Sequence, residues 1–185
     1  MITLQTERLM LIALTRQQLE LALHNLTRLG EMLQIQIKPD VFSDESRQAM
    51  MIKMSRMEHV IVELHPWYTY FLLVELDGRS AVGVCGFKGA PTPFGSVEVG
   101  YAMHEGYRNK GYMTEAVRAL VQWAFTHEAC RRVTAETLRD NFASQRVLQK
   151  AGMVLERESQ NMLYWKIDKG EPSVGDSPLK QFASK

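Results

Sequence analysis

Hydrophobic and polar positions along this chain follow two periods, and the place where one gives way to the other divides it. Leu9, Leu11 and Ala13 alternate with Met10, Ile12 and Leu14. Period two predicts a first strand from Thr3 to Leu14. Leu19, Leu23 and Leu26 then share one helical face, predicting a helix from about Arg16 to Leu29 with Thr15 as its cap and Gly30 as its stop. Lys38-Pro39-Asp40 reads as a loop. Ser43 or Asp44 opens a second helix, expected to reach about Leu64. On it Met50, Met54 and Met57 stand at i, i+4, i+7, the spacing of flexible core filler. His65-Pro66 is expected to end that helix, because the residue before proline disfavours the α conformation.

Three strands follow. Tyr68 to Leu76 is rich in aromatic and branched residues, Asp77-Gly78 is a hairpin signal, and Ala81 to Lys88 returns. Pro91, Pro93 and Gly95 mark a turn into Val97 to Met103. Here the period changes to 3.6. Met113, Ala116, Val117, Leu120, Val121 and Ala124 define an amphipathic helix. Arg132 to Leu138 reads as a strand, Asn141 to Lys150 as a short helix stopping at Gly152, and Leu163 to Ile167 as a last strand. No internal repeat interrupts this order. A strand, two helices, three antiparallel strands and then helix–strand–helix–strand make a mixed α+β plan, not a doubly wound one. Residues 1–168 are expected to form a single domain. From Lys169 on, Gly, Pro, Ser and Lys dominate, so 169–185 is expected to be a flexible tail.

Composition narrows the function. The 185 residues suit one domain of ordinary globular make-up, with 45% hydrophobic and 23% charged residues. Lys plus Arg is 22 against 21 for Asp plus Glu, a net charge of +1. That balance disfavours a nucleic-acid binder driven by overall charge. Two cysteines, Cys85 and Cys130, cannot build a disulfide framework or a four-thiolate zinc site, and read as buried small hydrophobes in a reducing compartment. The apolar run Leu9 to Leu14 is too short for a signal peptide, and no stretch approaches the roughly 18 apolar residues of a membrane span. The expectation is a soluble cytoplasmic protein, monomer or homodimer, without metal, membrane or nucleic acid.

The chemistry concentrates in two segments. The first runs from Glu98 through Tyr101, Ala102, Met103 and His104 to Arg108-Asn-Lys-Gly111-Tyr-Met-Thr114. A strand feeds a loop carrying Arg108 and Lys110, and the loop opens a helix at Gly111. Free N–H groups and the positive dipole end of a helix attract an anion there. The nucleotide-binding pattern G-x-x-x-x-G-K-[ST] fails, since Tyr112-Met113 follows Gly111, and no G-x-G-x-x-G is present. The second segment is Asn141-Phe-Ala-Ser144-Gln-Arg-Val-Leu148-Gln-Lys150-Ala-Gly152, after the strand Arg132 to Leu138. Taken alone, Asn141 reads as a helix cap and Gly152 as a helix stop.

Together, in this order, the two segments resemble the GNAT superfamily of acetyl-coenzyme-A-dependent N-acyltransferases. The loop pattern Arg/Gln-x-x-Gly-x-Gly/Ala is matched by Arg108-Asn-Lys-Gly111-Tyr-Met113, with Met113 in place of the small residue, a departure expected to crowd or shift the loop. Thr6-Glu-Arg-Leu9, Glu98-Val-Gly-Tyr101 and the Asn141–Gly152 segment are similar to the branch that acetylates N-terminal amines of ribosomal proteins. The resemblance implies a twisted, mostly antiparallel sheet splayed between two central strands, with helices on both faces. Val97–Met103 and Arg132–Leu138 would be the splayed pair. It also implies that acetyl-coenzyme A is held by Tyr101, Ala102 and Met103, by Arg108, Asn109, Lys110, Gly111, Tyr112, Met113 and Thr114, and by Asn141, Ser144 and Lys150. Glu98 would act as general base toward a primary amine, with His104 as the alternative. A backbone N–H near Val99 to Tyr101 would polarise the thioester carbonyl. The tyrosine that much of the superfamily carries four residues after Ser144 is absent, since Leu148 stands there; Ser144 would donate to the departing sulfur. The acceptor would lie near Trp67, Tyr68, Tyr70 and Phe71, residues that also suit core and strand surface. The competing reading is an acyl-coenzyme-A-binding regulatory module without turnover.

Overall fold

The N-terminal alternation belongs to two strands, not one. In the computed structural model, which describes residues 2–170 and 180–183, β1 (Ile2–Gln5) and β2 (Leu9–Ala13) pair antiparallel. Thr6 closes the turn: its N–H donates to the Leu9 carbonyl at 2.9 Å and its hydroxyl accepts from the Leu9 N–H at 3.0 Å. Apolar alternation resumes directly after such a turn, so periodicity alone does not reveal it.

Thr15 caps α1 (Arg16–His24) in a capping box with Gln18. The helix stops at Asn25, short of Leu29. Asn25 has a non-helical φ of −154°, and its side chain accepts from the Arg28 N–H to start α2 (Leu26–Leu33). Gly30 lies inside α2 and is not a stop. A Cβ there would stand 2.9 Å from the Ile35 carbonyl, so glycine serves a close approach, and the stop is Gln34 in the left-handed region. Ser43 caps α3, which spans Asp44–Met57 and ends a turn and more before Leu64. His65-Pro66, expected to end that helix, instead begins a helical turn of its own, α4 (His65–Tyr68), because proline is tolerated in a first turn. Met50 and Met57 are buried, as core filler should be.

β3 (Phe71–Glu75), β4 (Ser80–Phe87) and β5 (Ser96–Met103) form the expected meander. α5 (Tyr112–Phe125), β6 (Arg132–Leu138), α6 (Phe142–Lys150), β7 (Val154–Glu158) and β8 (Met162–Asp168) complete the second half. β7 carries no sequence signal because every one of its residues is exposed. β9 (Lys180–Ala183), within the segment expected to be flexible, pairs antiparallel with β1. Residues 171–179 and 184–185 of that segment lie outside the described residues.

The sheet order is β7-β8-β6-β5-β4-β3-β2-β1-β9, antiparallel throughout except between β5 and β6. Helices cover both faces. One core lies under α5 and α6, where Trp123 meets Trp67 at a ring separation of 4.6 Å and also contacts Phe71 and Phe87. The other lies under α1, α2 and α3, around Leu19, Leu29, Met50 and Leu72. Trp67 and Phe71 are thus core residues, while Tyr68 and Tyr70 are half-buried. Cys85 and Cys130 are both buried and unpaired, and burial pushes each thiol above its ordinary range. Among the described residues no helix is long and apolar enough to cross a membrane.

One cation is buried beneath α3. Lys53 donates to the Phe87 carbonyl, with its ammonium 4.7 Å from the centre of the Tyr70 ring. Burial holds its pKa down from 10.5 to about 7, with Arg56 and Lys88 adding repulsion. Between those values the unfolded chain binds a proton that the folded chain releases, so stability rises with pH across that window. Lys53→Met is expected to flatten that rise, as read from denaturant midpoints between pH 7 and 10. A slope equal to that of the unsubstituted protein would contradict the assignment.

Candidate active site

β5 and β6 start side by side and then part. Their parallel pairing covers only Ser96–Glu98 against Arg132–Thr134. Beyond it β5 continues along β4 as far as the Gly83–Met103 pair, while β6 continues along β8 as far as Leu138–Met162. A V-shaped slot therefore opens at Glu98 and Thr134. At its vertex the Thr134 hydroxyl donates to the Val97 carbonyl at 3.3 Å. Toward β4, Lys88 N–H donates to the Glu98 carbonyl and His104 N–H to the Val82 carbonyl. The strand repeat then turns the backbone groups of Val99, Tyr101 and Met103 to the slot. Strand backbone needs hydrogen-bond partners, and along this edge the neighbouring strand has moved away. At Gly100 no heavy atom lies within 4 Å of where a Cβ would stand.

The slot runs toward the basic loop. Gly111 caps α5 at φ 82° and has no side chain to bond the first turn; Glu115 N–H is the first to reach a helix carbonyl, that of Gly111, at 3.1 Å. The N–H groups of the first turn are left to meet an anion. Arg108, Asn109 and Lys110 are exposed, and Asn109 also has a positive φ of 62°. The Lys110 ammonium lies 4.9 Å from the centre of the Tyr107 ring. Tyr112 and Met113 are buried and Thr114 is half-buried. Met113, where the family pattern has a small residue, is buried in the core under α5.

A clasp from the first hairpin fixes this loop. Glu115 accepts from the Thr6 hydroxyl at 2.5 Å, from Arg8 N–H at 2.9 Å and from Arg8 Nε at 2.8 Å. Arg8 also donates to the Lys110 carbonyl at 2.9 Å, and its guanidinium lies 4.7 Å from the centre of the Tyr112 ring. An exposed ion pair is worth only about 0.2–1 kcal/mol. The clasp matters instead by position: it neutralises a carboxylate beside an anion site and ties the loop to β1 and β2. Arg8→Met is expected to weaken coenzyme A binding by about 10-fold, judged from the loss of charge-assisted hydrogen bonds. Titration calorimetry checks it, and undiminished affinity would remove the clasp from coenzyme binding.

His104 enters the loop buried, with Nδ1 accepting from Gly106 N–H at 3.0 Å and Nε2 3.0 Å from an Asp40 oxygen. The Nδ1 contact with the Gly106 N–H braces the loop. Glu98 lies on the face opposite Val97 and Val99, at the slot vertex. Its carboxylate is a quarter exposed and pairs with Lys88 of the adjoining strand turn. Asn141 is exposed and accepts from Ser144 N–H at 3.1 Å, a capping bond. Ser144 faces β5 across the slot, where its hydroxyl lies 2.7 Å from that of Tyr101. Leu148, one turn on, is fully buried. Lys150 is exposed at the far end of α6, and its carbonyl accepts from Arg118 Nε at 3.1 Å. The structure thus gathers Glu98, Tyr101, Ser144 and the loop around one slot and leaves Lys150 apart.

Residues 8–154 match the profile of the acetyltransferase (GNAT) domain. The chain belongs to that family. An uncharacterized N-acetyltransferase of Bacillus subtilis, YjdG, is 37% identical over 95 residues, 51% of this chain and 56% of that protein. The chain therefore matches about half the length of that relative. Among solved structures, a ribosomal-protein-S5-alanine acetyltransferase from Vibrio fischeri aligns with a TM-score of 0.64 at 20% identity, covering 91% of this chain and 97% of that one. A ribosomal L7/L12 alpha-N-protein acetyltransferase in complex with coenzyme A aligns with a TM-score of 0.60 at 17% identity, over 88% and 95% of the two chains. These likenesses show the GNAT fold, a mixed α/β architecture with a mostly antiparallel sheet.

Sequence reading of this GNAT domain missed three site features: the Glu115 clasp, Lys88 beside Glu98, and the Tyr101 side chain reaching α6. In sequence, Thr6-Glu-Arg-Leu9 reads only as a motif. Its partner lies 107 residues away, and no local spacing announces such a contact.

Proposed function

We propose that the protein transfers an acetyl group from acetyl-coenzyme A to a primary amine, either a protein N-terminus or a small molecule. The carrying observation is the slot that opens at Glu98 and Thr134 and leads to the uncapped α5 N-terminus at Gly111. Its parts fit a thioester on a long amide-bearing arm that ends in a pyrophosphate. Arg108, Lys110 and the first-turn N–H groups would hold the pyrophosphate. The slot-side groups of Tyr101 and Met103 would bond the amides of the arm. The Val99–Tyr101 edge would polarise the thioester carbonyl. Glu98 would take the amine proton, directly or through water, with Lys88 holding its carboxylate in place. The amine nitrogen bonds to the thioester carbonyl carbon, the C–S bond breaks with its electron pair on sulfur, and the Ser144 hydroxyl donates a hydrogen bond to the thiolate. The neighbours named for ribosomal proteins support a protein N-terminus as acceptor, and the open space at Gly100 supports room for one on the α3 face.

The test is thiol release by the full chain with acetyl-coenzyme A and a panel of amines: N-terminal peptides, free amino acids, polyamines and aminoglycosides. Acceptor-dependent release supports the proposal. Tight coenzyme binding with no release across the panel would favour the non-catalytic module.

A further inference from the structure

Tyr101 spans the slot. It rises from the β5 edge that has parted from β6, and its hydroxyl reaches the first turn of α6. There it lies 2.7 Å from Ser144 Oγ and 3.2 Å from the Ser144 carbonyl. The capping of α6 does not require this contact, since Asn141 already accepts from the Ser144 N–H. Nor does the helix offer another hydroxyl, for the position one turn beyond Ser144 is the buried Leu148. The hydroxyls of Tyr101 and Ser144 are thus paired across the slot.

A serine hydroxyl rotates freely, and its value as a donor depends on what fixes it. The geometry points to Tyr101 as a positioning residue for the departing sulfur: its O–H donates to Ser144 Oγ, which turns and polarises the Ser144 O–H toward the thiolate. This rests on the reading of Ser144 given above. When the C–S bond breaks, the electron pair goes to sulfur, Ser144 donates a hydrogen bond to that charge, and Tyr101 donates a hydrogen bond to Ser144. Hydrogen bonds in series strengthen one another, most of all when the terminal acceptor is charged. No proton leaves Tyr101. Burial pushes its pKa up to about 12, so the phenol remains a donor through the neutral range.

The experiment compares Tyr101→Phe, Ser144→Ala and the double variant in the full chain. It measures kcat, the KM for acetyl-coenzyme A, and the titration of the bound coenzyme A thiol by its ultraviolet thiolate absorbance. Tyr101→Phe is expected to lower kcat about 10-fold with KM unchanged, and to shift the bound thiol titration to higher pH. Ser144→Ala is expected to lose at least as much, and the double variant no more than Ser144→Ala alone. Difluorotyrosine at position 101 keeps the ring and hydroxyl with only a small change in size and makes the O–H more acidic; it is expected to move the thiol titration to lower pH. Ser144→Ala impaired with Tyr101→Phe unimpaired would overturn the positioning role alone, as would losses that multiply in the double variant or a difluorotyrosine titration that does not move. Ser144→Ala with unaltered kcat and thiol titration would overturn the Ser144 reading, and this inference with it.

Discussion

Gly111→Asp is expected to weaken coenzyme A binding by roughly 100-fold or more, while the protein stays folded. Two effects add. Gly111 sits at φ 82°, where a side chain costs about 1–2 kcal/mol, and its Cβ would stand 3.3 Å from an Arg8 guanidinium nitrogen. A new carboxylate would also stand at the N-terminus of α5 and compete with the incoming anion for the same N–H groups. Each 1.4 kcal/mol is a factor of ten in affinity. Arg108→Ala probes the same loop without backbone strain. Arg108 is exposed, and its hydrogen bond to the Glu105 carbonyl at 3.1 Å is made by the backbone N–H, which alanine retains, so the substitution leaves the fold alone. A loss of about 10–100-fold is expected from one charge-assisted contact. Calorimetric titration with coenzyme A reads both variants. Unchanged affinity in both would place the pyrophosphate elsewhere.

Glu98→Gln is expected to lower kcat by about 100-fold or more with the coenzyme dissociation constant unchanged, the signature of a lost general base. Glutamine keeps the shape of the side chain but cannot accept the amine proton. The exposed Lys88 loses its ionic partner, at a cost in stability of about 1 kcal/mol or less, because a cation at the surface remains solvated. A variant that binds coenzyme normally and turns over at the unaltered rate would exclude Glu98. Because the two experiments read different quantities, failure at Gly111 and failure at Glu98 separate binding from chemistry.

Much of this architecture was legible in the residues because its determinants are local. Thr15, Ser43 and Asn141 bond N–H groups within their own first turns, so each helix start could be read from a residue type and its neighbours. β6 matched its expected bounds and β5 differed by one residue, since both alternate against a buried face. The misreadings share a cause too. Asn25 and Gln34 divided and ended the first helices by adopting backbone angles that hydrophobic spacing does not encode. β7 offered no alternation because neither of its faces is covered.

The sequence by itself determined the family, the meander, the α5 and α6 helices and the basic loop, for these are written in residue types at fixed short separations. The tertiary structure alone decided where β5 and β6 part, that Thr6 and Arg8 reach Glu115, and that Lys88 stands beside Glu98. It also placed the Tyr101 hydroxyl on Ser144, turning a strand tyrosine into part of the site. The physical reason is that these contacts join residues tens to more than a hundred positions apart, and only the pairing of the sheet and the packing of helices upon it determine which of them meet.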